Sequence, residues 1–195
     1  MKIGIQEMEL TLELLDSGFH WKGFYRERRQ ANKDYIPDMN IALCTKEDYD
    51  QIITDMADFW NSSNIDNLQR QHNPIYLYEF GNTAFVIRES EKVIGYLLGF
   101  YSQTSLTAYV KFVGVRASHR KRGVGRALYE YFIRIAKEQG CSELKAITSP
   151  NNTISIGFHK SLGMELLGEP NEEGIIVMKD YAGPGNDRVV FRKDI

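Results

Sequence analysis

Between Tyr109 and Ala136 the spacing of apolar residues changes from that of a strand to that of a helix. Tyr109-Val110-Lys111-Phe112-Val113-Gly114-Val115 is an apolar, β-branched run and predicts a buried strand. After a short basic loop, Val124, Ala127, Leu128, Tyr131, Phe132, Ile135 and Ala136 fall at i, i+3, i+4, i+7, i+8, i+11 and i+12. That single stripe predicts an amphipathic helix, with Gly140 standing where a C-terminal cap is expected.

The remaining pattern fills in around this unit. Ile41–Cys44 reads as a first strand. Thr45 with Asp48 three residues on is close to a capping box. Tyr49, Ile52, Ile53, Met56, Phe59 and Trp60 predict a helix, which Asn61-Ser62-Ser63-Asn64 breaks, and a shorter helix covers Asp66–Gln71. Thr83–Arg88 and Lys92–Tyr101 predict an antiparallel hairpin turning at Glu89-Ser90-Glu91. Leu144–Thr148 is a strand beyond the long helix. The strand–helix–strand step implies a parallel pair with a right-handed crossover. Thr153–Leu162 is a further helix. Met164–Leu167 and Ile175–Asp180 are expected as two late strands around Asn171-Glu172-Glu173-Gly174, with Val189–Arg192 extended again. The order describes an α/β domain with a mixed sheet.

Composition narrows the class. A hydrophobic content of 43% and a charged content of 26% are those of a soluble globular protein. No apolar run approaches membrane-spanning length, and Glu7, Glu9 and Glu13 interrupt any signal pattern, so no membrane association is expected. Cys44 and Cys141 have no paired spacing and read as reduced thiols of a cytoplasmic protein. His20, His72, His119 and His159 make no metal-ligand spacing, so no metal is expected.

Residues 1–38 read as an extension and residues 39–195 as the main domain, with Pro37-Asp38 at the boundary. Ile5–Leu15 is compatible with a short helix. Trp21, Phe24 and Tyr25 then lie beside Arg26, Arg28, Arg29 and Lys33. Such a segment can contact nucleic acid; an arm packed on the domain or on a second subunit is the preferred reading.

Candidate chemistry lies in the loop between the strand and the long helix. Arg116, Arg120, Lys121, Arg122 and Arg126 concentrate positive charge in a chain of net charge −2. Local charge suits a compact polyanion better than a long nucleic acid. The first N–H groups of a helix lack intrahelical partners, and the helix dipole adds positive potential there. A P-loop fails because Gly125-Arg126-Ala127 replaces Gly-Lys-Ser/Thr, and a dinucleotide fingerprint fails because Leu128 stands at the third glycine. The segment is then either an anion site of another kind or a glycine-eased helix start with solvated charges.

Arg120-x-x-Gly123-x-Gly125 resembles the Arg/Gln-x-x-Gly-x-Gly/Ala signature of the GNAT superfamily of N-acetyltransferases. Downstream, Asn152-x-x-Ser155-x-x-Phe158-His159-Lys160-Ser161-Leu162-Gly163-Met164 resembles a second segment of that family. The two motifs occur in the family's order, and the resemblance spans roughly residues 40–180.

The resemblance implies a mixed, mostly antiparallel central sheet flanked by helices, with a parallel pair splayed around the cofactor. It implies transfer of the acetyl group of acetyl-CoA to a primary amine of a small molecule or peptide. The pantetheine arm would pair with Val113 and Val115, and a bulge helped by Gly114 would open its slot. The amides of Arg122, Gly123, Val124, Gly125 and Arg126 would take the pyrophosphate beside Arg120 and Lys121, with Asn152, Ser155 and Phe158 as further cofactor-binding residues. A strand N–H near Val115 would polarise the thioester. His159 stands where many members carry a tyrosine read as the acid for the departing thiolate; histidine can also give a proton near neutral pH, or can simply pack there. Glu79 is the candidate base, with a water chain as its rival. Trp60, Tyr76, Tyr78 and Gln103 are candidates to line the acceptor pocket. Self-association in the family makes a homodimer a further expectation. The alternative is a CoA-binding regulatory or assembly module without turnover.

Overall fold

The computed structural model describes residues 39–60 and 64–195. The helix expected over Ile5–Leu15 and the aromatic-basic segment after it lie outside the described residues.

Strand β1 (Ile41–Leu43) leads into helix α1 (Lys46–Thr54), whose start is fixed by the expected capping box: Asp48 N–H donates to Thr45 Oγ1, and the Asp48 carboxylate accepts from Thr45 N–H. The helix expected through Trp60 breaks at Asp55 and resumes as α2 (Met56–Phe59). Asn64 caps α3 (Ile65–Gln71), and a short α4 (Ile75–Tyr78) occupies the aromatic segment, for which the apolar pattern predicts no element. Hairpin β2 (Ala84–Glu89) and β3 (Lys92–Tyr101) turns through Ser90 at φ +55°. Then come β4 (Thr107–Val115), α5 (Val124–Glu138), β5 (Glu143–Thr148) and α6 (Thr153–Ser161). The chain closes with β6 (Glu165–Leu167), β7 (Glu169–Pro170), β8 (Ile176–Val177) and β9 (Val189–Asp194).

Among the described residues, seven strands form one sheet in the order β1-β2-β3-β4-β5-β9-β6. Only β4 and β5 run parallel, with α5 as their crossover; the other neighbours are antiparallel. One late pairing differs from expectation. Leu166 pairs with Phe191 of β9 rather than with the 175–180 segment. Gly168, at φ +112°, turns the chain out of the sheet, so residues 169–177 form a separate two-stranded ribbon. The apolar run Val189-Val190-Phe191 is buried throughout, as suits a strand covered on both faces.

Each face of the sheet carries its own core. On one, Val124, Leu128, Phe132 and Ile135 of α5 pack with Phe85, Leu97, Val110, Leu144 and Phe191. On the other, Tyr49, Ile52, Met56 and Phe59 pack with Val86, Tyr96, Leu98 and Phe112. Both helical stripes read from the sequence are thus buried stripes.

Candidate active site

The site begins where β4 and β5 part. Their parallel pairing runs from Thr107/Glu143 to Val110/Ala146 and stops there. At the same point the β3–β4 register slips, so that Gly99 faces Val110 and Leu98 faces Phe112, leaving Lys111 as the extra residue of a β-bulge. The bulge expected near Gly114 thus lies at Lys111 instead. Gly114 serves the packing of the other face: a Cβ there would stand 2.7 Å from Cζ of Tyr96, so its glycine makes room for that ring.

The bulge also sets which backbone groups are free. Arg116 N–H donates to Ile94 O on β3. Hydrogen-bonded pairs alternate in an antiparallel ladder, so residues 112 and 114 also face β3. Val113 and Val115 therefore direct their N–H and C=O groups toward the side that β5 has left. The Val115 carbonyl accepts from Nε of Arg120 at 3.2 Å, which leaves the Val113 pair and the Val115 N–H.

Helix α5 starts at the same end of the split. Its cap is Gly123 at φ +84°, with no side-chain hydrogen bond to the first turn, and Lys121 is also left-handed at φ +61°. Gly125 brings this start against the split: an added Cβ would lie 3.1 Å from Cζ of Phe158 and 3.5 Å from Cγ2 of Val115. Uncapped N–H groups with positive φ beside them form an anion-binding concavity, so the residues present fit a pyrophosphate.

The five basic residues of the segment divide. Lys121 and Arg122 are exposed at the helix start. Arg126 donates to Ser161 O at 2.9 Å and faces Glu130, tying α5 to α6. Arg120 spans the Val115 and Phe59 carbonyls. Arg116 belongs to the core rather than to the anion site. It is 3% exposed, pairs with Asp55 and Asp58, donates to Val93 O and lies 4.6 Å over the Phe59 ring.

On α6, Asn152 is the N-cap, accepting from Ser155 N–H at 3.1 Å. Phe158 stands edge-on to Tyr129 at the mouth of the split. His159 points inward, 3% exposed and stacked on Phe191 at 4.2 Å. Its Nδ1 lies 2.7 Å from the Ser155 carbonyl, which can only accept, so Nδ1 carries the hydrogen and Nε2 accepts from the Tyr129 hydroxyl at 2.7 Å. Burial holds its pKa down to about 4, the Ser155 bond opposing weakly. Both nitrogens are engaged away from the split.

The opposite face of β4 carries an aromatic row. Tyr76 meets Phe112 and Phe80, Phe80 meets Phe100, and Phe100 stacks on Tyr109 at 5.0 Å. Burial, and after it the neighbouring Tyr181, raise the pKa of the Tyr109 hydroxyl. Beneath the row, Trp60 Nε1–H donates to the Tyr96 hydroxyl at 2.6 Å. Nδ1 of His72 faces the Leu68 carbonyl, so its Nε2 accepts from Tyr96. Tyr78, Glu79 and Gln103 are exposed. The sequence reading passes over Lys111. A lone lysine inside an apolar strand is the signal that points to Lys111.

A mixed α/β sheet whose one parallel pair opens beside an uncapped helix start thus presents a free strand edge next to an anion site. The model of the acetyltransferase (GNAT) family matches residues 49–164, and the chain belongs to that family. It is an acyl-CoA N-acetyltransferase enzyme. Solved structures share the fold. The ribosomal-protein-S18-alanine N-acetyltransferase from Escherichia coli aligns over 80% of this chain and 92% of its own at 16% identity, TM-score 0.56. Naa20 from Chaetomium thermophilum, in complex with a bisubstrate analogue, aligns over 80% and 86% at 19% identity, TM-score 0.58. A NatC complex bound to Gag peptide and CoA contains a chain aligned over 80% and 97% at 14% identity, TM-score 0.58. At these identities the likeness is one of fold. No helix among the described residues is long and apolar enough to cross a membrane.

Proposed function

We propose that this enzyme transfers the acetyl group of acetyl-CoA directly to a primary amine of a small molecule or peptide. The observation that carries this is the free edge of β4 at Val113 and Val115 beside the uncapped start of α5. The amides from Arg122 to Arg126 take the pyrophosphate, and Lys121 and Arg122 add charge. The pantetheine arm then runs back along β4, past Val115 toward Val113. Its thioester end is the end remote from the phosphates, so the N–H of Val113 rather than that of Val115 stabilises the developing oxyanion.

The amine nitrogen attacks the thioester carbon; the C–N bond forms as the C–S bond breaks. Glu79, exposed at the end of α4, takes the amine's proton directly or through water. The thiolate takes its proton from water in the split. His159 holds α6 against α5 through Tyr129 and so fixes Phe158 on the slot wall. We assign the activity to residues 39–195, and a chain beginning at Met39 is expected to bind CoA as the full chain does.

The test is a calorimetric titration of the full chain with CoA and with acetyl-CoA. Micromolar affinity, about −8 kcal/mol, is expected. A folded sample that binds neither would remove the pyrophosphate assignment and the mechanism with it.

A further inference from the structure

Two cations stand at the mouth of the split on its acceptor side. Lys111 is the first residue of β4 beyond the pairing with β5, and Arg188 is the residue just before β9 pairs with the end of β5. They share a face. Ala108 and Val110 enter the α5 core, so Tyr109 faces away from it, and the bulge turns the chain so that Phe112 lines the opposite core. Likewise Val189 and Phe191 enter the α5 core, which places Arg188 on the same side as Tyr109.

Neither cation has a carboxylate partner among the described residues. Elsewhere most partly covered cations are paired, Arg88 with Asp48, Arg116 with Asp55 and Asp58, Lys145 and Arg192 with Glu143, while Lys193 donates to the Leu162 carbonyl. Lys111 instead lies with Nζ 5.4 Å from the Phe112 ring centre, half-buried, and Arg188 donates to the backbone carbonyl of Asp187. Burial, and after it the charge of Arg188, lower the affinity of Lys111 for its proton. Two like charges on one face of the sheet and partly out of water are unfavourable until an anion joins them.

We propose that the acceptor is a small primary amine that also carries an anionic group, a carboxylate or a phosphate, seated between Lys111 and Arg188 with its apolar body on the partly exposed pair Phe100 and Tyr109. This rests on the acetyl-transfer assignment above. Lys111 lies two residues from Val113, about 7 Å along a strand, so one compact molecule can reach the cations and the thioester together. The competing role for the same charges is to repel an ammonium and keep the acceptor amine neutral, which requires no anion.

The test uses the full chain saturated with CoA, so that the pyrophosphate site is filled. Hydrocinnamate, phenyl phosphate and the uncharged hydrocinnamamide are titrated in turn. At least one anion is expected to bind about tenfold or more tighter than the amide, as a charge-assisted hydrogen bond would give. The stronger anion names the group. Lys111→Met and Arg188→Gln are each expected to abolish the preference while CoA affinity and melting temperature stay unchanged, and Arg188→Lys to restore part of it. Equal binding of anion and amide, no binding of either anion, or a preference kept in both variants would overturn the proposal. Failure to saturate with CoA in the first place would instead count against the acetyl-transfer assignment.

Discussion

The Tyr129 hydroxyl donates to Nε2 of His159 across 2.7 Å, inside the core and not in the split. The Ser155 carbonyl at Nδ1 fixes this tautomer, so folding requires the neutral ring. His72 is held the same way between Leu68 and Tyr96. Burial lowers both pKa values from 6.5 to about 4. Between those values the unfolded chain binds more protons than the folded one, so stability rises with pH there. It is therefore fully present above about pH 6.5 and lost as the pH falls toward 4. Each histidine contributes up to about 3 kcal/mol over that window. Urea midpoints at neutral pH and in mild acid should differ accordingly, and His159→Gln should flatten the profile. A midpoint independent of pH would mean that the two rings are accessible to protons in the folded state.

The same residue shows what a sequence can carry. The position of His159 on α6 follows from its motif, but the direction of its ring depends on Tyr129 and Phe191, which come from other elements. Helix α5 and the parallel step from β4 to β5 are legible because local period and a short crossover determine them. The inner place of β9, between β5 and β6, is not, because a three-residue apolar run carries no partner in its own pattern. Arg116 has the appearance of an anion ligand beside Arg120. Its acids, Asp55 and Asp58, sit about sixty positions earlier, and only the folded sheet brings them together. Lys111 is visible as a lysine in an apolar strand, whereas its bulge depends on the register against β3.

Gly125 and Phe158 make one tight joint. A methyl at Gly125 must displace a ring edge 3.1 Å away, which itself stands against Tyr129. Gly125→Ala is expected to lose about 1–3 kcal/mol of stability by overpacking, and to weaken CoA binding because the helix start moves. Phe158→Leu in the same chain should recover part of both losses. A double-mutant cycle in melting and in CoA affinity measures the coupling. Strict additivity would mean that the two residues do not press on each other.

Two arginines six positions apart should fail in opposite ways. Arg116→Gln removes a buried cation with two carboxylates, a backbone acceptor and a ring beneath it. The expected loss is about 2–4 kcal/mol of folding stability, visible in a denaturant titration. Arg122→Glu alters an exposed residue at an uncapped helix start. Stability should stay within about 0.5 kcal/mol. CoA affinity should drop about tenfold or more, and raising the salt should shrink that difference. Unchanged CoA affinity in Arg122→Glu would move the pyrophosphate away from this loop.

Glu79 separates a side-chain base from solvent. It ends α4, three residues from Tyr76 of the aromatic row, and is exposed to water. Glu79→Gln keeps the size and removes the proton acceptor. If the carboxylate takes the amine's proton, kcat falls about a hundredfold or more while CoA affinity holds. Substitution by glutamine with kcat intact would assign the proton to water instead. The acceptor would then have to arrive already neutral.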